Sequence, residues 1–182
     1  MIVEFVQINS LDEIDFDTLF NESYSRMENT FLWHHSLATY ELRKKFYYDQ
    51  LQSAINGTWP IKNDTDTFIM IITKVDGAVV EFTAGFRDLD GYISLRWHLT
   101  SAAGTTANRN WRYSKEALQA RKDFVASIGV VGFKEFTWVG SLHYRTLRMR
   151  ANTGNFTLEE NLLPADKSPT GHQLVEFTIR FN

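Results

Sequence analysis

Two Asp-Gly pairs, Asp76-Gly77 and Asp90-Gly91, separate three apolar runs that read "FIMIITKV", "AVVEFTAGFR" and "YISLRWHLT". Asp-Gly suits a type I′ turn, because both central residues take positive φ and the turn's twist matches the strands it joins. The middle of the chain is therefore expected to fold as an antiparallel meander of three strands. Centring the turns on those pairs fixes the register: Thr83 falls opposite His98, and Glu81 opposite Thr100. Side chains alternate along a strand. Glu81, Thr83, Arg96 and His98 then share one face, while Ile93, Leu95, Trp97 and Leu99 share the other.

Around the meander the spacing of apolar residues changes. Met1 to Ile8 reads as a first strand. Ser10 and Glu13 have capping-box spacing, which predicts a helix through about Phe20. From Ser36, the residues Leu37, Tyr40, Tyr47, Tyr48, Leu51, Ala54 and Ile55 recur at helical steps until Asn56-Gly57. After a polar loop, "TSAAGTTAN", Ser114 is a candidate N-cap for a helix whose apolar side carries Ala117, Leu118, Ala120, Phe124, Val125 and Ile128. Gly129 or Gly132 ends it. "FKEFTWV" follows as a strand, and "SLHYRTLRMRAN" as a short helix with Leu142, Leu147 and Met149 toward the core. Asn155 to Glu160 reads as a strand and "NLLPADKSPTGH" as a loop. "LVEFTIRF" closes with Val175, Phe177, Ile179 and Phe181 alternating against polar positions.

That order resembles the GNAT N-acetyltransferase superfamily over nearly the whole chain, 1–182, as a single α/β domain. The resemblance implies a mixed, mostly antiparallel central sheet with helices on its flanks. The resemblance implies that strands four and five splay apart and that acetyl-CoA enters the gap as co-substrate. Pantetheine would pair with the backbone of the fourth strand near Leu99 and Thr100, and pyrophosphate would rest on amides opening the next helix. The general reason is that free N–H groups and the helix dipole attract an anion there. "RNWRYS" stands where the family has Arg-Gly-x-Gly-x-Gly or Ala. Arg109 matches the arginine, and Asn110, Arg112 and Ser114 replace the small positions, with Trp111 and Tyr113 between them. Arg112 either brings a guanidinium to the phosphates or occupies their seat.

The family's tyrosine acid, late in the helix after strand five, would fall near Arg150; Tyr144 lies earlier in that helix. Ser141 or His143 stands where an Asn often begins it. For the base, the polar strand face offers His98 or Glu81, either of which can take a proton from an amine if suitably tuned. Read structurally instead, Glu81 and Arg96 form an ion pair beside a hydrogen-bonded His98.

Other signals narrow the classes. A net charge of −3 supplies no basic field for nucleic acid or anionic lipid. The absence of cysteine removes thiolate metal sites and thiol nucleophiles. Neighbouring His34 and His35 point in different directions and do not chelate, and "SAAGTT" lacks the P-loop Lys. Trp59, Trp97, Trp111 and Trp138 fit core and cleft packing better than a platform for bases. Arg145, Arg148 and Arg150 read as solvated surface, or as partners for an adenosine 3′-phosphate. The start of the chain lacks signal-peptide features and no run is long enough for a membrane span, so a cytoplasmic location is expected. Two functions stay open: an acyl-CoA-dependent N-acyltransferase acting on a small-molecule or protein amine, or a non-catalytic binding or assembly protein of this shape. The aromatic-rich, cysteine-free sequence is similar to acetyltransferase-like proteins encoded by bacteriophages, which would place it in a host cytoplasm.

Overall fold

A computed structural model describes residues 1–27, 40–59, 67–106, 111–167 and 171–182. The elements are β1 (Val3–Ile8), α1 (Phe16–Met27), α2 (Tyr40–Ile55), β2 (Thr67–Val75), β3 (Ala78–Arg87), β4 (Tyr92–Thr100), α3 (Ala102–Thr106), α4 (Lys115–Ser127), β5 (Gly132–Trp138), α5 (Leu142–Ala151), β6 (Phe156–Lys167) and β7 (Gln173–Phe181). One seven-stranded sheet runs in the order β1-β2-β3-β4-β5-β7-β6. All neighbours are antiparallel except β4 and β5, which are parallel.

The meander forms, but its two turns differ. At Asp76-Gly77 both residues take positive φ, +49° and +84°, as a type I′ turn requires. The second turn is wider. The Asp88 carboxylate accepts from the amides of Asp90 and Tyr92, and of the central pair only Gly91 has positive φ. Near this turn the register is one residue off that expected, with Arg87 opposite Ile93 and Gly85 opposite Leu95. A bulge then restores it, so Thr83 does face His98 and Glu81 does face Thr100. Arg96 is the extra residue of the bulge. One extra residue reverses alternation, so Ile93 and Leu95 pack with Ile69, Ile71 and Phe124, while Trp97 and Leu99 pack with Phe20, Leu51 and Phe82. The four do not share a face. Gly85 is needed there because a Cβ would sit 2.1 Å from the Ser94 carbonyl oxygen.

The two faces are covered by different helices. On one, α1 and α2 bury Phe16, Phe20, Tyr47 and Leu51 against Phe82, Phe86 and Trp97. On the other, α4 covers Ile69, Ile71, Ile93 and Phe133, and α5 packs Leu147 against Val175, Phe177 and Ile179. Each of the large buried side chains contributes on the order of 2 kcal/mol. At the amino end the capping box is present in full, but it caps a single 3-10 turn, Leu11–Glu13. Asp15 accepts from the Thr18 amide at 3.1 Å and starts α1, which runs past Phe20 to Met27. "SAAGTT" contains the short helix α3, not only a loop. Met149 is exposed and takes no part in the core. The segment read as a loop from Asn161 continues β6, pairing Asn161 with Glu176 and Leu162 with Val175. Pro164 fits because it falls at the irregularity between Leu163 and Lys167 on the sheet's edge strand, where no ladder partner is assigned to it.

Candidate active site

β4 and β5 pair at only three positions: Tyr92 with Gly132, Ile93 with Phe133 and Ser94 with Lys134. Beyond these, β4 stays on β3 as far as Thr100, and β5 stays on β7 as far as Trp138. Each strand follows its outer neighbour, so the two part. The cavity between them is about 600 Å³, enough for the reacting end of a cofactor and a small acceptor. Its floor is apolar, with Ile71, Leu95 and Phe133, and charged groups stand along both walls.

On the β3–β4 wall, Arg112 reaches in from the 3-10 turn Trp111–Tyr113 that precedes α4 and bonds the buried Glu81 carboxylate. His98 Nε2 lies 3.1 Å from the same oxygen and 3.2 Å from Thr100 Oγ1. Burial alone would raise the Glu81 carboxyl, but the Arg112 charge, followed by His98, more than offsets it and holds the group far below the usual carboxylate range. Glu81 is thus a fixed anion that orients His98. It is Arg112, not Arg96, that pairs with Glu81; Arg96 lines the cavity. The His98 side chain is 46% exposed and, like the exposed Arg96, can meet a ligand on this wall.

On the β5 wall, the His143 ring bridges two elements. Nε2 lies 2.7 Å from Glu135 of β5, and Nδ1 lies 2.7 Å from the Tyr113 hydroxyl. Burial raises the Glu135 carboxyl, yet the His143 hydrogen bond and charge, with Arg121 and Arg112, keep it below its ordinary value. Sequence reading did not single out Glu135. The signal was available: in "FKEFTWV" it shares strand parity with Phe133 and Thr137, so it falls on their buried face.

Several expected cofactor contacts are already engaged by the protein. Thr100 N–H donates to Ser23 Oγ at 2.7 Å, and Ser23 Oγ donates to the Thr100 carbonyl at 2.9 Å. The Tyr47 hydroxyl is buried against the His98 main chain. Leu99 is buried in the α1–α2 core. Ser114 caps α4 by accepting from the Ala117 amide at 3.1 Å, and Trp111 donates Nε1–H to the Gly104 carbonyl at 2.7 Å. Arg109, Asn110, His34 and His35 lie outside the described residues. Tyr144 does not line the cavity: its ring stacks on Phe177, and its hydroxyl accepts from Arg148 at 2.9 Å.

Solved structures share this architecture. The fold is that of the GNAT acetyltransferases. A RimL ribosomal L7/L12 alpha-N-protein acetyltransferase in complex with coenzyme A is similar at 12% identity with a TM-score of 0.62, covering 98% of this chain and 94% of its own. The PaiA N-acetyltransferase from Thermoplasma acidophilum, in complex with coenzyme A, is similar at 13% identity and a TM-score of 0.54, covering 97% and 98%. A ribosomal-protein-alanine N-acetyltransferase from Brucella melitensis gives 12% identity and a TM-score of 0.54, with both chains covered in full. No family model and no curated protein matches the sequence. Among the described residues no helix is long and apolar enough to cross a membrane.

Proposed function

We propose that the chain is an acyl-CoA-dependent N-acyltransferase, with acetyl-CoA as co-substrate and an amine as acceptor. The observation that carries this reading is the parting of β4 from β5 beyond Ser94, with an imidazole standing in the opening. In the reaction an amine nitrogen attacks the thioester carbonyl, the C–N bond forms as the C–S bond breaks, coenzyme A departs as its thiolate, and His98 accepts the proton the nitrogen releases. Glu81 holds the imidazole in place through the 3.1 Å contact to Nε2. The Arg112 guanidinium keeps Glu81 ionised. The fold neighbours that act on ribosomal proteins make a protein amine terminus one candidate acceptor, and a small amine is the other.

One observation favours a second reading, a non-catalytic binding or assembly protein of the kind suggested by the resemblance to phage-encoded relatives. Ser23 takes both main-chain groups of Thr100, and Tyr47 is buried against the His98 main chain, in the stretch of strand four that pantetheine would use. Calorimetric titration with acetyl-CoA separates the two. Micromolar binding, coupled to release of free thiol when amines are added, supports the transferase. No heat at millimolar acetyl-CoA leaves only the scaffold.

A further inference from the structure

The bulge in β4 leaves one charged side chain of the cavity without a protein partner. We infer that this residue, Arg96, selects the acceptor by binding a carboxylate a few bonds from the reacting amine, a substrate class that rests on the transferase reading.

Register puts Arg96 in this place. Leu95 packs against the core under α4, and Trp97 against the core under α1 and α2, so the strand changes faces at the residue between them. That residue is exposed. It lies two positions past Ser94, the last residue of β4 that pairs with β5, and it lines the cavity where the strands begin to part. The cavity reaches both faces of the sheet: Ile71 and Phe133 of its lining belong to one core, Tyr47 and Trp97 to the other. An acceptor thus has a way in beside a cofactor lying in the gap.

The other charges of the lining are engaged. Arg112 and His98 hold Glu81, and His143 holds Glu135. Arg121 lies over the Phe5 ring, and its charge acts on both carboxylates. Arg96 makes no hydrogen bond, ion pair or ring contact among the described residues. With three guanidinium groups against two carboxylates, the lining is positive even when both imidazoles are neutral, in a chain whose net charge is −3. A guanidinium fork matches the two oxygens of a carboxylate with parallel hydrogen bonds. The apolar floor of Leu95 and Phe133 strengthens such a pair by lowering the local dielectric.

His98 stands two residues further along the same strand, roughly 7 Å away at Cα. An amine at the imidazole and an anion at the guanidinium can therefore belong to one short fragment. An α-amino acid, or the acidic first residue of a chain, has that layout. A polyamine does not, because its second cation would meet the guanidinium.

The first test uses the protein without cofactor. The Arg96 Nε–H signal, assigned by its loss in Arg96→Gln, is followed by nitrogen-15 NMR while N-acetylaspartate is added; N-acetylasparaginamide, which carries no carboxylate, is the control. A saturable shift with the acid alone is expected, and no shift, or the same shift with both, overturns the site. The second test is kinetic and uses four amines that differ only in where a carboxylate replaces a carboxamide: aspartate, its α-amide, asparagine and asparaginamide. The wild type should favour a carboxylate over asparaginamide, and Arg96→Gln should cut that preference by roughly 10- to 10²-fold, chiefly through KM, with Arg96→Lys recovering part of it. Comparing the same ratio in two proteins cancels differences in amine basicity. Preference for the α-carboxylate identifies a free amino acid as acceptor, and preference for the side-chain carboxylate identifies an acidic chain terminus; loss of either in Arg96→Gln supports the assignment. Equal kcat/KM for all four amines, or a preference that survives Arg96→Gln, overturns it and leaves the transferase standing. A wild-type protein that binds no acetyl-CoA overturns the transferase and the acceptor role together, and the titration still decides whether the carboxylate site exists.

Discussion

The Arg112 guanidinium crosses from the turn before α4 to the Glu81 carboxylate on β3, joining a loop to the centre of the sheet. Glu81 is 5% exposed at its side chain and Arg112 25%. A buried anion that loses its partner keeps its desolvation cost. Arg112→Leu should therefore destabilise the protein by about 3 kcal/mol, the lower part of the usual range, because Arg112 is partly exposed and His98 remains beside Glu81. Urea unfolding of both proteins at pH 7 measures it. A change below 1 kcal/mol would show that the pair adds nothing to the folded state.

The same pair sets an acid limit. Glu81 has a folded value below its ordinary 4.5, and Glu135 is depressed in the same direction. Such groups add stability that is present above about pH 4.5 and lost as pH falls through the folded value. Stability should decline steeply below that point in the wild type and less steeply in Glu81→Gln. Thermal melts from pH 6 down to pH 3 compare the slopes, and parallel curves would contradict the assignment.

Ser23→Ala removes one hydroxyl and strands two main-chain groups, since the Oγ both accepts from and donates to Thr100. Ser23 is 2% exposed, so water does not replace the bonds readily. The expected loss is about 2–6 kcal/mol, from one to three for each unpaired group. Hydrogen exchange at the Thr100 amide should accelerate ahead of its neighbours in β4.

Gly85→Ala tests the bulge. The new methyl would lie 2.1 Å from the Ser94 oxygen and 2.9 Å from the Leu95 Cα, and both are backbone atoms that cannot rotate away. Destabilisation of about 1–3 kcal/mol is expected. Gly57→Ala is no control because of its φ of +72°. Ala78→Gly, at an exposed position of β3 beyond the bulge, is a better comparison and should cost less.

His98→Gln keeps a polar side chain at the opening but no basic nitrogen. Acetyl-CoA affinity should persist while kcat for amine acylation falls by roughly 10²- to 10⁴-fold. An unchanged kcat at neutral pH would remove His98 from the reaction.

Local chemistry alone made part of this legible. The Asp-Gly pairs gave the meander, the period of Leu51, Ala54 and their neighbours gave α2, Ser114 gave the start of α4, and alternation of Val175, Phe177 and Ile179 gave β7. Each depends on residues adjacent in the chain, where spacing maps directly onto geometry. The order of these elements also sufficed to expect a sheet parted between its fourth and fifth strands. The contents of the gap were not legible in the same way. Arg112 displaced Arg96 as the partner of Glu81, and the bulge that turned Ile93 and Leu95 to the other face arose because the turn at Asp88 is wider than a two-residue turn. Tyr113, Glu135 and His143 meet from three elements separated in sequence, and Ser23 closes on Thr100 from across the fold. Which charges share a cavity depends on how helices dock on the sheet, and docking is set by side-chain packing over the whole core rather than by any local period. The sequence determined the strands, the helices and their order; the tertiary packing alone decided which acids and bases look at one another.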